Sequence, residues 1–267
     1  MTDTGTIRTG IGGWNFEPWR GTFYPQKLPQ SKELNYASER LATIEINATY
    51  YGSQKPATWA KWSQSVPDGF VFSLKGSRYV TNRKVLGEAG ESIAKFLGQG
   101  IVELGDRLGP ILWQFAPTKA FDPADFEAFL QLLPEKHEGL SLSHALEVRH
   151  PSFVSADFVA LAERHSHAIV YAHHAEYPEI ADVTSNFVYA RLQRGSDDID
   201  TCYGENELGA WADRCRAWSS GGQPDDLPRA APDRPVAKQP RDVFVYFIHE
   251  GKVRAPQGAM ALAARCG

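Results

Sequence analysis

Five charged residues of this sequence fall near the ends of short β-rich runs, and their types suit acid/base chemistry on an anionic molecule. They are Glu45, Lys75, Glu147, Arg149 and Arg191. Burial raises the pKa of a carboxylate and a neighbouring cation lowers it, so an enclosed carboxylate can be tuned to move protons. Guanidinium groups match carboxylate or phosphate oxygens in two-pronged fashion. The pattern therefore predicts a charged pocket for a small anionic or polyhydroxylated substrate.

Eight β-rich runs alternate with stretches of helical character, a pattern typical of a closed parallel barrel. The predicted strands are 7–13, 42–47, 70–75, 110–115, 145–149, 168–173, 187–192 and 243–248. A chain of 267 residues fits one such barrel better than two small domains. We therefore expect an α/β protein with a single (β/α)8 TIM-barrel domain over residues 1–267, regular or irregular; an open doubly wound sheet is the alternative.

The charged residues share one face of their strands, because alternate side chains of a strand point in opposite directions. On the second strand, Glu45 and Asn47 alternate with Ile44 and Ile46. The same alternation directs further polar side chains into the barrel, namely Lys75, Gln114, Glu147, Arg149, Tyr189 and Arg191. Barrel enzymes keep their chemistry at the C-terminal ends of the strands. The alternative is a set of paired, buried charges that only stabilise the core.

Glu45, Glu147 and His150 are the predicted catalytic residues. Two carboxylates on non-adjacent strands could flank a ligand, as in glycoside-type chemistry; for Glu147 a salt bridge to Arg149 or Lys75 is the alternative. His150 precedes Pro151 and could act as a general base or simply shape the loop. The predicted substrate-binding residues are Trp14, Asn47, Tyr50, Lys75, Gln114, Arg149, Tyr189, Arg191 and His249.

Some of these side chains have alternative interpretations. The aromatic rings of Trp14 and Tyr50 could stack on a sugar or base ring, or pack under loops. Lys75 could form a Schiff base if its pKa is lowered. No P-loop, dinucleotide fingerprint, GxSxG or HExxH motif occurs in the sequence, and no cofactor is expected.

The composition of the chain limits which binding partners and which cell compartment we expect. The formal net charge of −4 argues against nucleic acid and anionic membranes as partners. Three cysteines without a CxxC pair favour a reducing compartment. The N-terminal segment lacks the basic and apolar regions of a signal peptide, and no apolar run is long enough to span a bilayer. We expect a cytoplasmic protein; its oligomeric state is not predicted.

Residues 219–242 interrupt the pattern. Their proline, glycine and charge content predicts a flexible surface loop before the eighth strand. A lid over the pocket is one role such a long loop could have.

The sequence resembles domain-of-unknown-function family 72, the YecE-like proteins, over nearly its whole length. The matching segments include GIGGWNFEPWRGTFYP at 10–25, TIEINATYYGSQKPATWAKW at 43–62, GFVFSLKGSRYVTN at 69–82, LGPILWQFAP at 108–117, ALEVRHPSF at 145–153, YARLQ at 189–193 and VYFIHEG at 245–251. The resemblance implies a TIM barrel and assigns no activity. The chain departs from the family at Ile248 and His249, where asparagine is usual, and in the extra loop at 219–242.

The leading functional hypothesis is an enzyme, a hydrolase or lyase that needs no metal. A second is a metal-dependent phosphodiesterase or isomerase, with a site built from Glu45, Glu147, His173 and His249. A third is a non-catalytic nucleotide- or RNA-binding protein.

Overall fold

Eight parallel strands of the computed structural model, which describes residues 4–267, close into a barrel. The barrel strands are β1 (Ile7–Gly12), β2 (Thr43–Ile46), β3 (Val71–Lys75), β4 (Leu108–Gln114), β5 (His144–Glu147), β6 (Ala168–His173), β7 (Phe187–Arg194) and β8 (Asp242–Glu250). Each strand pairs with the next along the chain, and β8 pairs with β1. The predicted TIM barrel is confirmed, and the alternative of an open sheet is wrong.

Nine α-helices of the described residues surround the barrel. They are α1 (Glu33–Ser38), α2 (Ala48–Tyr51), α3 (Pro56–Gln64), α4 (Arg78–Thr81), α5 (Gly90–Leu97), α6 (Pro123–Gln131), α7 (Ala156–Arg164), α8 (Glu205–Ser219) and α9 (Ala255–Cys266). The carboxylate of Asp122 caps α6 and the Ser155 hydroxyl caps α7, each by accepting backbone N–H groups, as their residue types predict. Within residues 4–267, no helix joins β6 to β7.

Strand alternation separates two apolar layers. Ile44, Ile46 and Leu146 face the helices and belong to the large outer core. Leu112, Tyr189 and their neighbours on other strands fill the interior of the barrel. The polar residues that alternate with the outer layer are thereby forced to point inward, toward the C-terminal mouth.

The 219–242 segment lies at the N-terminal end of the barrel, opposite the mouth. The backbone N–H groups of Ala230 and Ala231 donate to the Asp182 carboxylate at 2.7 and 3.2 Å, and Ala181 N–H donates to Pro228 O at 2.8 Å. These partners precede β7, so they mark the entry end of that strand. The interpretation of the segment as a lid is therefore wrong; it covers the side of the barrel where a helix between β6 and β7 is missing.

The described residues contain no helix with the length and apolar character needed to cross a membrane. Cys202, Cys215 and Cys266 are free thiols. Residues 1–3, which form part of the N-terminal segment considered for a signal peptide, lie outside the described residues.

Candidate functional site

Arg191 on β7 bridges two carboxylates at the mouth. Its Nε and Nη2 donate to the two oxygens of Glu45 at 3.1 and 3.0 Å, and its Nη1 donates to Glu147 Oε2 at 2.6 Å. The two glutamates are 0% exposed and Arg191 is 3% exposed. Strands β2, β5 and β7 are not neighbours, so the guanidinium spans the barrel interior.

Glu147 also pairs with a second arginine, Arg149, which lies closer to solvent. Its Oε1 accepts from Arg149 Nε at 2.9 Å and from Arg149 Nη2 at 2.7 Å, and Gln114 Nε2 lies 3.0 Å from both carboxylate oxygens. The Arg149 guanidinium in turn stacks on the Tyr177 ring, 4.5 Å from its centroid. Both oxygens of Glu147 are therefore occupied by donors from the protein itself.

Hydroxyl groups support the network from below. Tyr189 Oη donates to Glu45 Oε2 at 2.6 Å and lies 2.9 Å from Ser73 Oγ. One layer deeper, Tyr246 Oη and Thr43 Oγ1 are 2.8 Å apart. These contacts fix the Glu45 carboxylate from the side that the cations do not reach, so the interior is closed beneath the mouth.

The pKa values follow from this pairing. Burial alone raises the pKa of Glu147, but the positive charges of Arg191 and Arg149 and the Gln114 hydrogen bond outweigh it and lower the pKa to about 2. Burial opposes the charge on Arg191, yet Glu147 and Glu45 raise its pKa above the usual value. Glu147 and Arg191 are thus held ionised at neutral pH.

Lys75, at the end of β3, is the exception. Among the described residues, no carboxylate oxygen lies within 4.0 Å of its Nζ, which sits 4.4 Å from the centroid of the Tyr50 ring. Burial, reinforced by repulsion from Arg191, lowers the pKa of Lys75 from 10.5 to about 8, despite the attraction of Glu45 and Glu147. Part of the Lys75 population is therefore a neutral amine near neutral pH.

A cavity of about 540 Å³ opens above the network. It is lined by Gly12, Trp19, Asn47, Tyr51, Lys75, Gln114, Arg149, Arg191, Gln193, Phe247, Ile248, His249 and Lys252. Lysine and arginine side chains line it, and no carboxylate of residues 4–267 does. Gln193 is 2% exposed, and its Nε2 atom has no hydrogen-bond partner among residues 4–267. The cavity thus offers positive charge and an unsatisfied amide donor.

A bulge in β8 shapes the rim of this cavity. The pairing register with β7 shifts between Phe247 and Glu250, and His249 takes a φ of 77°, which non-glycine residues rarely adopt. The His249 ring lies 5.7 Å from that of His174. Backbone strain of this kind is typical of functional sites, and here it lies at the rim of the cavity.

Most of the predicted site residues converge at the mouth. Those brought together are Glu45, Asn47, Tyr50, Lys75, Gln114, Glu147, Arg149, Tyr189, Arg191 and His249. The predicted salt bridge between Glu147 and Arg149 is present. Strand alternation predicted the residues that lie on or directly after the strands, because each strand contributes its inward-facing positions near its C-terminal end. Tyr50 lies instead in α2 and His249 in the bulge of β8.

Trp14 and His150 lie elsewhere. Trp14 packs edge-on against Trp62 at 5.0 Å, under the first loop, so packing rather than stacking on a ligand describes its position. His150 Nδ1 accepts from Ser152 N–H at 3.2 Å and caps a short 3-10 helix, Pro151–Phe153. Neither residue lines the cavity, and loop shaping is the role that the geometry of His150 supports.

The four residues considered for a metal site are not assembled. His173 points outward against Trp211 of α8, at 5.1 Å between ring centroids, while both glutamates bind Arg191. Within residues 4–267, no group of three or more His, Cys, Asp or Glu side chains is placed to hold a metal ion.

Two residues at the mouth, Lys252 and Tyr177, were not predicted from the sequence. Lys252 precedes α9, a helix that was not predicted, and its carbonyl accepts from Trp19 Nε1 at 2.8 Å. Tyr177 lies in the long connection between β6 and β7, where no periodic pattern fixes its direction. A cation-binding aromatic residue in an irregular loop gives no signal in a single sequence.

These observations define a (β/α)8 barrel protein whose mouth has a buried ion-pair network beneath a cavity lined by cationic side chains. The family model described as "Protein of unknown function DUF72" matches residues 8–267, and the chain belongs to this family. The protein is 27% identical over 158 residues to the UPF0759 protein YunF of Bacillus subtilis strain 168, covering 57% of this chain and 54% of that protein. The chain therefore matches about half the length of that relative.

Solved structures of DUF72 family proteins share the fold. One from Thermotoga maritima MSB8 is 21% identical, with a TM-score of 0.70 and coverage of 97% of both chains. Another, from Enterococcus faecalis V583, is 16% identical, with a TM-score of 0.69 and coverage of 98% of this chain and 95% of that one. At these identities the likeness establishes the barrel architecture alone.

Proposed function

We propose that this protein is an enzyme that binds a small anionic or polyhydroxylated molecule in the mouth cavity, and that Lys75 is its proton-transfer group. The observation that carries the proposal is the placement of Lys75: its amine lines the cavity without a carboxylate partner, and its pKa is lowered to about 8. An acid/base group is most effective when its pKa is near the working pH.

The two glutamates serve the site by positioning its arginines. Both are fully buried, and Glu147 has donors on each oxygen and a pKa of about 2. A carboxylic acid with so low a pKa is a poor general acid near neutral pH. This assignment replaces the initial hypothesis that Glu45 and Glu147 themselves transfer protons, and it places both beneath the reacting groups.

The polar groups around Lys75 suit an acidic substrate with hydroxyl groups. Arg149 and Lys252 supply positive charge, and Asn47 and Gln193 supply amides for hydroxyl groups. A bound anion would neutralise the cationic lining, and Gln193 Nε2 would gain the partner that it lacks.

Among the hydrolase and lyase classes, the geometry favours a lyase. The cavity lining offers no carboxylate pair of the kind that glycoside hydrolysis uses. The neutral amine of Lys75 would remove a proton from the carbon next to the acid group, while Arg149 holds the acid's charge. The bonding electrons form a double bond as the hydroxyl on the next carbon leaves as water, with the proton returned to it by the Lys75 ammonium. Where the first carbon carries a hydroxyl, the resulting enol tautomerises to the 2-oxo acid.

A binding experiment tests the ligand class. Titration calorimetry of the full chain with gluconate, as a polyhydroxylated acid, should show binding that Lys75→Met weakens about tenfold, since the variant removes an amine that lines the cavity and contributes to its positive potential. Lys136→Met is the matched control, because Lys136 is exposed at the opposite end of the barrel. Equal affinity in the wild type and Lys75→Met would contradict the assignment.

A turnover experiment tests the reaction. Sugar acids are incubated with the protein, and 2-oxo acid formation is followed by semicarbazone absorbance. The value of kcat should rise with pH along a curve with a midpoint close to 8 and vanish in Lys75→Met. Ligand binding without turnover across the sugar acids would instead indicate a binding protein.

A further inference from the structure

A second buried arginine, Arg241, lies at the N-terminal end of the barrel, just before β8. It is 2% exposed. Its Nε donates to Ser185 O at 3.3 Å and its Nη2 donates to Ala237 O, whereas Nη1 has no partner among residues 4–267. No carboxylate oxygen of these residues lies within 4.0 Å of the guanidinium. A buried cation without a counterion is strongly unfavourable.

Arg241 lines a cavity of about 460 Å³, which we call the N-terminal cavity. Its polar lining includes His144, His167, Ser185, Asn186, Gln239 and Arg241. His167 is 6% exposed, and its Nε2 has no hydrogen-bond partner within the described part of the chain. Two buried nitrogen atoms of one cavity lining thus lack partners, and both are suited to oxygen atoms of a ligand.

The histidines of this cavity are not arranged as metal ligands. His144 Nδ1 accepts from Trp113 Nε1 at 3.1 Å, and His144 Nε2 faces Pro134 O at 2.9 Å, so both of its ring nitrogens are already engaged. Burial, with the neighbouring His144 and His165, lowers the pKa of His167 to about 3. These effects outweigh a backbone hydrogen bond with Leu130, so the ring is neutral, and its Nε2 donates only in the tautomer that carries the proton there.

We propose that the N-terminal cavity binds a small phosphorylated molecule, a phosphate monoester, whose phosphate group pairs with Arg241. A phosphate oxygen would accept from the unpaired Nη1 of Arg241, and others from the neighbouring polar groups, including the Nε2–H of His167. The site is independent of the proposed chemistry at the mouth, which lies at the other end of the strands.

The charges around the cavity are compatible with an anion. Glu163 is the one lining carboxylate near Arg234, and these two residues form a salt bridge. Glu135 is exposed at the rim, where its negative charge opposes an anion. Arg234 adds to the positive potential at Arg241, since the two guanidinium groups repel each other. The surplus charge at the inner end of the cavity is therefore positive.

The 219–242 segment builds one wall of this site. Val236, Ala237 and Gln239 line the cavity, and Arg241 follows them. The segment before β8 therefore supplies both the buried arginine and one wall of the site.

Phosphate binding to the full chain tests the proposal. The probes are inorganic phosphate and glycerol 3-phosphate, followed by the 15N–1H signals of Arg241 Nε and His167 in protein labelled with 15N-arginine and 15N-histidine. Both signals should shift in a saturable manner. In Gln239→Glu, which adds a negative charge at an exposed position, the affinity should fall about tenfold. Gln64→Glu, exposed elsewhere, is the matched control.

The outcomes are distinguishable. Loss of the Arg241 shift in Gln239→Glu, with retention in Lys75→Met, supports the N-terminal cavity. A shift with inorganic phosphate but none with glycerol 3-phosphate overturns the proposal that the ligand is a phosphate monoester. Unchanged Arg241 and His167 signals in the wild type at millimolar phosphate overturn the site itself, whatever occurs at the mouth.

Discussion

Two arginines of this protein are almost equally buried and differ in what surrounds them. Arg191, at the mouth, donates hydrogen bonds from all three side-chain nitrogens to two carboxylates. Arg241, at the opposite end, meets only backbone carbonyls and has one unpaired nitrogen. The difference shows that burial alone does not identify a ligand site. An arginine with every nitrogen hydrogen-bonded stabilises the fold, whereas one with an unpaired nitrogen can still bind a ligand.

Removing each guanidinium separates these roles most strongly. Arg191→Met leaves two buried carboxylates without their cation, and we expect the free energy of unfolding to fall by about 3–5 kcal/mol. Arg241→Met leaves two carbonyl groups without a donor but also removes an uncompensated buried charge, so stability should change by less than about 1 kcal/mol. Urea denaturation in phosphate-free buffer measures both. Equal losses would remove the distinction between the two regions.

The pH dependence of stability sharpens the description of the mouth. The pKa of Glu147 is lowered from 4.5 to about 2 in the folded protein, so its stabilising contribution is complete above pH 4.5 and is lost as the pH falls toward 2. From this group alone, stability at pH 3 should be about 2 kcal/mol below that at pH 6.

Glu147→Gln is the variant that isolates this contribution in urea denaturation. It should lose that part of the acid dependence and be less stable at pH 6. Glu127→Gln, which breaks the exposed pair with Arg164, should change stability by less than about 1 kcal/mol and keep the wild-type pH profile. An unaltered acid profile in Glu147→Gln would contradict the pairing seen at the mouth.

Lys75→Met should stabilise the protein, unlike the substitutions above. The folded-state pKa of Lys75, about 8, lies below its usual 10.5. The folded protein therefore binds fewer protons than the unfolded chain between these values, and wild-type stability rises with pH across that window. At pH 7 the variant should be about 3 kcal/mol more stable, and less than about 1 kcal/mol more stable at pH 10.

Thermal or urea unfolding at the two pH values checks this expectation, with Lys136→Met as the matched exposed lysine. A destabilised Lys75→Met at pH 7 would mean that the amine has a stabilising partner after all. A gain that persists at pH 10 would point to apolar packing rather than relief of a buried charge.

The smallest effect concerns the 219–242 segment. Asp182→Asn removes the charge from a side chain that holds two backbone amides of the segment, and about 1 kcal/mol of stability should be lost. Limited proteolysis should then cut within 219–242 faster, with the mouth still able to bind gluconate. Loss of gluconate binding in this variant would contradict the separation of the two ends.

Strand alternation made much of this architecture predictable. Glu45 lies between two outward-facing isoleucines, so its inward direction follows from the pleat, and the closed barrel brings such residues together. What the sequence could not supply was the pairing. Whether Glu147 was a free acid or a partner of Arg149 and Arg191 depends on distances across the barrel, which no local pattern encodes.

The location of the extra segment was misjudged for a related reason. Its composition predicts irregular structure but not the end of the barrel at which it lies. The order of elements does contain that information: a connection from a helix to the next strand returns to the N-terminal end. The Lys75 amine was considered only as a Schiff-base or binding group, because its burial and the repulsion from Arg191 that lower its pKa arise only in the folded barrel.

The most direct test of the mouth is the pKa of Lys75 itself. An NMR titration of the 13Cε resonance in lysine-labelled full-length protein, assigned with Lys75→Met, should give a midpoint of about 8. In Glu147→Gln, removal of a negative charge should lower the midpoint further. A midpoint near the usual value of 10.5 would mean that Lys75 is an ordinary ammonium group and would contradict its proposed role in proton transfer.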